Sequence, residues 1–361
     1  MHISQEQIQL LIPDMPIAEQ VLPFLRKIDK SRVYSNGGPL VQELESAFAR
    51  YFNVESSQIC AVTNATLGLT AAIKVCPEFN SEVVELPSFT FTASASACLM
   101  SGVSSRFVDI DDDLRMTPTG LSDFVMDVLP FGAGLRKSSW YDQHAYTIID
   151  AAASVDALCG FGANFNPVSS VTIVISLHAT KMLGSGEGGI IYSNNPEILS
   201  KIRRYCNFGF DTQQSTRSSE SVGSNLKMSE YSAAVALASF ARWQEVRQDV
   251  IGRNQIAQKI SNRTGFSVHS AMEQGLATPY WIIQSHSVDA IAALFTTSSN
   301  YKISTRKWWG NGCHGMPAYS SISRGQLPMT EKISKRYLGL PFHRHLTDED
   351  WQRIESFLGS V

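Results

Sequence analysis

One lysine has a setting that a surface lysine does not need. Lys181 follows the apolar run Val171 to Ile175, and glycines then occupy every second position, Gly184, Gly186 and Gly188, before Gly189. A solvated ammonium sits at no cost on any exposed helix. An amine held beside bare backbone at the mouth of a sheet can instead lose its proton and attack a carbonyl. Three other stretches carry residue types that would suit such an amine. Thr63-Asn64-Ala65-Thr66 pairs hydroxyls with the start of a helix, which makes an anion site suited to a phosphate, or a plain helix cap. Phe89 and Phe91 lie in the loop Pro87 to Thr92, where an aromatic can stack on a planar ring or fill the core. Asp150 ends the apolar run Tyr146 to Ile149 and precedes three alanines. There it is poorly solvated without a cation such as a protonated pyridine nitrogen, unless it caps the next helix. Ser176 can donate to the same phosphate.

These residues need a scaffold that brings strand ends together. Apolar or β-branched runs occur at 59–63, 83–86, 106–110, 125–131, 146–149, 171–177 and 189–193. Helix-like segments lie between several of them: Ala65 to Val75, Ala93 to Met100 and Pro196 to Tyr205. Apolar positions 40, 41, 44, 47, 48, 51 and 52 repeat at helical spacing after the turn Tyr34 to Pro39. Alternating strands and helices predict an α/β fold with a mainly parallel seven-stranded sheet, whose ligands bind beyond the carboxyl ends of the strands. Residues 207–225 read as a polar loop and Met228 to Val246 as one long helix. Beyond about residue 250 the pattern becomes an α+β mixture, with a strand at Tyr280 to Ile283 and a helix at Asp348 to Leu358. The expected division is residues 1–248 for the large domain and 249–361 for the small one.

Composition narrows the function classes. With 361 residues, 43% hydrophobic and 17% charged, the chain is long enough for a substantial core. A net charge of −3 gives no electrostatic reason to expect nucleic acid or an anionic membrane as a partner. Six scattered cysteines, with no CxxC pair, argue against a zinc site and a disulfide framework. The N-terminus lacks a basic start followed by an apolar segment, and no apolar run approaches a membrane span. These features lead us to expect a cytoplasmic protein without a bound metal.

The chain resembles the DegT/StrS family of sugar aminotransferases, which depend on pyridoxal 5′-phosphate and have the aspartate-aminotransferase fold (fold type I). The resemblance rests on SNGGPLVQELESAFARYF (35–52), VTNATLGLTAAI (62–73), ELPSFTFTASASACLMSGVSSRFVDID (85–111), IIDAAASVDALCG (148–160), SLHATKMLGSGEGGIIYSN (176–194), NLKMSEYSAA (225–234) and LPMTEKISKRYLGLPFHRHLTDED (327–350). It implies that Lys181 forms the Schiff base with the cofactor and that Asp150 pairs with the pyridine nitrogen. It also implies that Phe91, rather than Phe89, stacks on the ring, and that Ala65, Thr66 and Ser176 hold the phosphate. Asn225 matches an asparagine that reaches the phosphate of the neighbouring subunit, so a homodimer is expected. His178, on the turn of Lys181, is as well suited to a structural hydrogen bond as to catalysis.

The implied reaction takes an amino group from L-glutamate, through pyridoxamine 5′-phosphate, to a keto group of a nucleotide-linked sugar in O-antigen or other glycan synthesis. The block Ser304 to Tyr319 resembles members that aminate C4 of a thymidine-diphosphate 4-keto-6-deoxy sugar; amination at C3 and a UDP sugar stay open. Arg306 and Lys307 are candidates for the pyrophosphate, Trp308 or Trp309 for packing on the sugar or base, and Tyr34 and His314 for further substrate contacts. A sugar dehydratase on this scaffold typically replaces the lysine with histidine, which Lys181 argues against; a cofactor-retaining sensor is the other alternative. Three departures stand out. Ala153 occupies the position where the family usually has Gln or His against the cofactor's phenolic oxygen. Ala65 replaces a glycine, and Leu129 to Ala133 differs from the commoner His-containing version.

Overall fold

The computed structural model describes residues 6–76, 83–210 and 218–361. All seven expected strands form: β1 (Ile59–Val62), β2 (Val84–Pro87), β3 (Ser105–Val108), β4 (Phe124–Val128), β5 (Tyr146–Asp150), β6 (Ser170–Ser176) and β7 (Gly189–Ser193). β4 ends before the expected 131 because Pro130 has no amide to donate, and Pro130–Gly132 turns as a short 3-10 segment instead. The order across the sheet is β1-β7-β6-β5-β4-β2-β3, with β7 antiparallel to both neighbours and the other pairings parallel. β4, β5 and β7 are buried along their whole length, as strands covered on both faces should be.

The helices that cover it are α1 (Ala18–Ser31), α2 (Pro39–Phe52), α3 (Ala65–Lys74), α4 (Thr92–Ser101), α5 (Ser138–Tyr141), α6 (Pro196–Tyr205), α7 (Glu230–Ala241) and α8 (Trp243–Arg263). Alternate strand residues feed two cores. Ile59, Ala61, Ile149, Ile173, Ile190 and Tyr192 pack with α2 and α7. Cys60, Val62, Ile148, Val174 and Ile191 pack with α3, α4 and α6. α2 begins with Pro39 after an N-cap glycine. The buried Glu230 carboxylate accepts from the Leu40 amide at 2.8 Å and the Val41 amide at 3.0 Å, neutralising the positive helix end. A Cβ on Gly38 would lie 2.8 Å from Glu230 Cδ, so this approach requires glycine.

The single helix expected at 228–246 is two. Arg242 (φ −91°, ψ −6°) is the cap shared by the end of one helix and the start of the next, and its guanidinium binds Asp14 at 3.0 and 3.1 Å. The division expected at 248/249 therefore falls inside α8, which runs unbroken to Arg263. Beyond it come α9 (Ser270–Glu273), α10 (Val288–Thr297), α11 (Pro328–Ile333) and α12 (Asp348–Leu358). β8 (Ser267–Val268), β9 (Trp281–Gln284) and β11 (Tyr337–Leu340) form a separate antiparallel sheet, while β10 (Ser323–Arg324) adds an eighth strand to the large sheet beside β3. Cys313, Tyr319, Ile322 and Leu327 accordingly join the core of Leu86, Cys98 and Phe107. Of the expected polar loop, 211–217 lie outside the described residues; its flanks pair through Asn207–Asn225 and Phe210–Ser219 bridges.

Candidate active site

The turn after β6 is closed by its own backbone. The Leu177 amide donates to Gly188 O (2.9 Å), the Ala179 amide to Gly186 O (2.9 Å) and the Ser185 amide to Leu177 O (2.7 Å). Gly186 stands at φ +85°, which a side chain would resist. This hairpin presents Lys181, whose Nζ donates to Tyr280 Oη at 2.8 Å and lies 5.4 Å from that ring's centroid.

Asp150 ends β5 and is 5% exposed. Ser94 Oγ donates to its Oδ2 at 2.6 Å, and the Ala152 amide to its Oδ1 at 3.2 Å. Thr90 Oγ1 is 3.1 Å from Ser94 Oγ and extends the chain, because the Ser94 proton is already given to Asp150. Burial pushes the Asp150 carboxyl above its ordinary value, while Ser94, the Ala152 amide and the Lys181 charge pull the other way without overcoming it. Such a carboxylate gains if a cation is supplied.

At the start of α3, Asn64 Oδ1 accepts from the Leu67 amide at 2.9 Å, and Asn64 O accepts from the Gly68 amide at 3.1 Å. No group among the described residues accepts the amides of Ala65 and Thr66. Two free N–H groups at a helix N-terminus are an anion cradle. Gly189 lets this cradle sit against β7, since a Cβ there would lie 2.9 Å from Ala65 N. Ala65 is the first residue of α3 and does not have a positive φ, so alanine fits without strain. Ser176 ends β6 and pairs with Gly189; its Oγ accepts from the His178 amide at 3.2 Å. His178 Nδ1 in turn binds Thr180 through Oγ1 (2.8 Å) and the amide (3.2 Å), which gives the ring a structural role. Asn225 is exposed, on a segment whose Leu226 O accepts from the Thr63 amide at 2.9 Å. Phe91 is the N-cap of α4 and is exposed, whereas Phe89 is buried.

The remaining candidates are distributed unevenly. Arg306 pairs through its backbone with Gly339, and its guanidinium lies 4.8 Å from the centroid of the Trp308 ring. Lys307 Nζ lies 4.8 Å from the Phe295 ring centroid. Trp308 is half-buried and packs edge-on to Tyr280 at 4.9 Å, so the indole builds the wall beside Lys181. Trp309 stacks on Phe131 at 4.5 Å. His314 Nδ1 is 2.6 Å from Ser88 Oγ, which also accepts the His314 amide at 3.1 Å. Burial, then Arg324, lowers the basicity of His314, which disfavours the charged ring that would attract a phosphate. Tyr34 stacks on Tyr231 at 6.2 Å, and among the described residues no hydrogen bond or ring contact joins it to the lysine. The Ala153 carbonyl faces Gly132, beside Thr278.

Two residues that touch the site carry no clear signal in the sequence. Ser94 is one small residue among several in Thr92 to Ala97. Tyr280 is readable only as the start of a strand.

Comparison with known proteins identifies the family and the fold. The profile of the DegT/DnrJ/EryC1/StrS aminotransferase family matches residues 16–127 and 142–358. The chain is 26% identical over 367 residues to dTDP-4-amino-4,6-dideoxy-D-glucose transaminase of Shigella dysenteriae, with 97% of each chain covered. Among solved structures it is similar to a putative PLP-dependent aminotransferase from Bacillus cereus (28% identity, 98% of this chain and 100% of that one, TM-score 0.85). It is also similar to DesI solved with its TDP-sugar product (25% identity, 98% and 93% covered, TM-score 0.82). The α/β architecture is fold type I. With the family profile matched along most of its length, the chain belongs to the DegT/DnrJ/EryC1/StrS aminotransferase family.

Proposed function

We propose that this aminotransferase moves an amino group from L-glutamate to C4 of a dTDP-4-keto-6-deoxyglucose-type sugar, using pyridoxal 5′-phosphate. The observation that carries the reaction class is the pairing of one lysine amine, Lys181, with a buried carboxylate, Asp150, that lacks a full countercharge. The donor set suits a phosphorylated pyridine aldehyde: an amine for the aldehyde, a carboxylate for the ring nitrogen, and two free amides for the phosphate. When bound, the cofactor supplies an aldehyde for the lysine and a ring that accepts electrons from the substrate's Cα. Asp150 would keep the ring nitrogen protonated. Ala65, Thr66 and Ser176 would bind the phosphate, with Asn225 reaching it from a second copy of the chain in a homodimer. Phe91 would cover one ring face, and Lys181 Nζ would take the proton from Cα of the amino donor.

The acceptor assignment draws on the relative from Shigella dysenteriae, named for a dTDP-4-amino sugar. Arg306 and Lys307, both exposed, would pair with the pyrophosphate, with Trp308 beside the sugar. His314 and Tyr34 would make outer contacts. No helix among the described residues is long and apolar enough to cross a membrane, and we place the reaction in the cytoplasm, in O-antigen or other glycan synthesis.

The test is spectroscopic. Protein reconstituted with pyridoxal 5′-phosphate should show the absorption band of the lysine-bound cofactor. Glutamate should bleach it, and a keto sugar nucleotide should restore it. Lys181→Ala should abolish turnover. A band unchanged by every amino donor would overturn the reading, and a panel of dTDP and UDP keto sugars would identify the acceptor.

A further inference from the structure

Tyr280 lies 99 positions from Lys181 in the chain, yet its phenol oxygen is the one hydrogen-bond partner of the Lys181 amine among the described residues, at 2.8 Å. The ring cannot easily turn away. Trp308 packs against it at 4.9 Å and 69°, and Phe131 at 5.8 Å and 78°. Two residues earlier the buried Thr278 donates to Phe131 O, and one residue later Trp281 is fully buried in β9. The phenol's own proton has no acceptor among the described residues, so Tyr280 holds the amine with a lone pair and keeps a donor to spare.

We propose that Tyr280 is a further catalytic residue, which positions the Lys181 amine and protonates the carbonyl oxygen that this amine attacks. The inference rests on the reading of Lys181 as the reactive amine. The step balances without any outside reagent. As the N–C bond forms, the C=O π pair moves to oxygen, and that oxygen takes the phenol proton. The phenolate then takes one of the amine protons, which already points at Oη, and the phenol is restored. Run in reverse, the same two transfers release the amine. A donor beside an attacking amine removes charge from the oxygen as it develops.

The experiment uses the full-length protein without cofactor and compares Tyr280→Phe, which keeps the ring packing, with wild type. Glyoxylate plus cyanoborohydride traps condensation at each lysine, and acetic anhydride labels each amine without needing a proton donor for a carbonyl oxygen. Peptide mass spectrometry reads Lys181 against the exposed Lys30. We expect trapping at Lys181 to slow by about 100-fold in the variant. Acetylation at Lys181 should stay within about twofold, since the half-buried amine keeps the same access to reagent when the ring packing is kept. Equal slowing in both reactions would mean that the ring merely shapes the pocket, and unchanged trapping would mean that the phenol gives no proton; either result overturns the proposal. Neither reaction uses pyridoxal phosphate. A wild-type protein that forms no lysine-bound cofactor band would therefore sink the aminotransferase reading separately.

Discussion

Phe89 and Phe91 stand two positions apart in one loop and have opposite surroundings. Phe89 is 1% exposed and edge-on to Trp309 at 5.0 Å, while Phe91 is 59% exposed at the N-cap of α4. Strand alternation would place both rings on one face. A tight turn between them, with the Thr90 amide donating to Ser88 O at 3.0 Å, sends them apart.

That separation predicts two distinct phenotypes. Phe89→Ala removes a buried ring and should cost about 3–5 kcal/mol of stability. Phe91→Ala should cost less than about 0.5 kcal/mol in the cofactor-free protein, as surface substitutions do. It should weaken pyridoxal phosphate binding by about fivefold, the size of one aromatic contact. Thermal melts and a cofactor titration check both. If Phe91→Ala melts as early as Phe89→Ala, or binds cofactor as wild type does, Phe91 is not the stacking ring.

Asp150 predicts how stability follows pH. Burial, opposed by Ser94, the Ala152 amide and Lys181, holds the folded carboxyl above its ordinary value of 3.8. Between that ordinary value and the raised one, the folded protein binds more protons than the unfolded chain. The cofactor-free protein therefore loses stability as pH rises through this window. Asp150→Asn cannot ionise and escapes that loss. Above the window it should melt at the same temperature as wild type or higher, although one residue of the active site is gone. Turnover in the reconstituted variant should fall by about 100- to 1000-fold, as when a preorganised charge partner is removed. Melting curves from pH 4 to 8 test the first claim. A variant less stable than wild type at pH 7 would show that the carboxylate is satisfied by Ser94 and the amide alone.

The strands were legible because buried strands in a parallel sheet read as continuous apolar runs, and each such run here became a strand. The start of α3 was legible because Asn64 carries N-cap chemistry in its side chain. Two features were not. Residues 228–246 contain no glycine or proline, so no helix breaker marks the break at Arg242; a distant partner, Asp14, holds that side chain. The return of Cys313 to Leu327 onto α4 and β3 is likewise set by long-range contacts, among them Tyr319 Oη to Ser96 Oγ at 2.9 Å. Tyr280 meets Lys181 only because β9 and the lysine turn come together in space. Local pattern finds groups that carry their chemistry with them, and it misses those defined by what the fold places opposite.

Asp14 gives the last prediction. Its carboxylate joins Arg242, at the break between α7 and α8, to Arg344 near the C-terminus, with contacts of 3.0 and 2.8 Å. Arg344 also holds Asp249 and Glu245, each at 2.9 Å, so one N-terminal carboxylate completes a network that spans three parts of the chain. Burial raises the Asp14 carboxyl, but hydrogen bonds and charge from Arg344 and Arg242 outweigh it and leave the group below its ordinary value of 3.8. Here the unfolded chain binds more protons than the folded protein in the window below 3.8. The stabilisation is thus complete above the ordinary value and lost as pH falls through the lower, folded one. Asp14→Asn should cost about 1–2 kcal/mol at pH 7, because a half-buried pair is worth more than a fully solvated one. Below the folded value, wild type and variant should converge, since both then carry a neutral side chain. Urea melts at pH 7 and at steps down through and below the ordinary value of 3.8 measure the difference; a gap that keeps the same size at every step would mean that shape rather than charge holds the network.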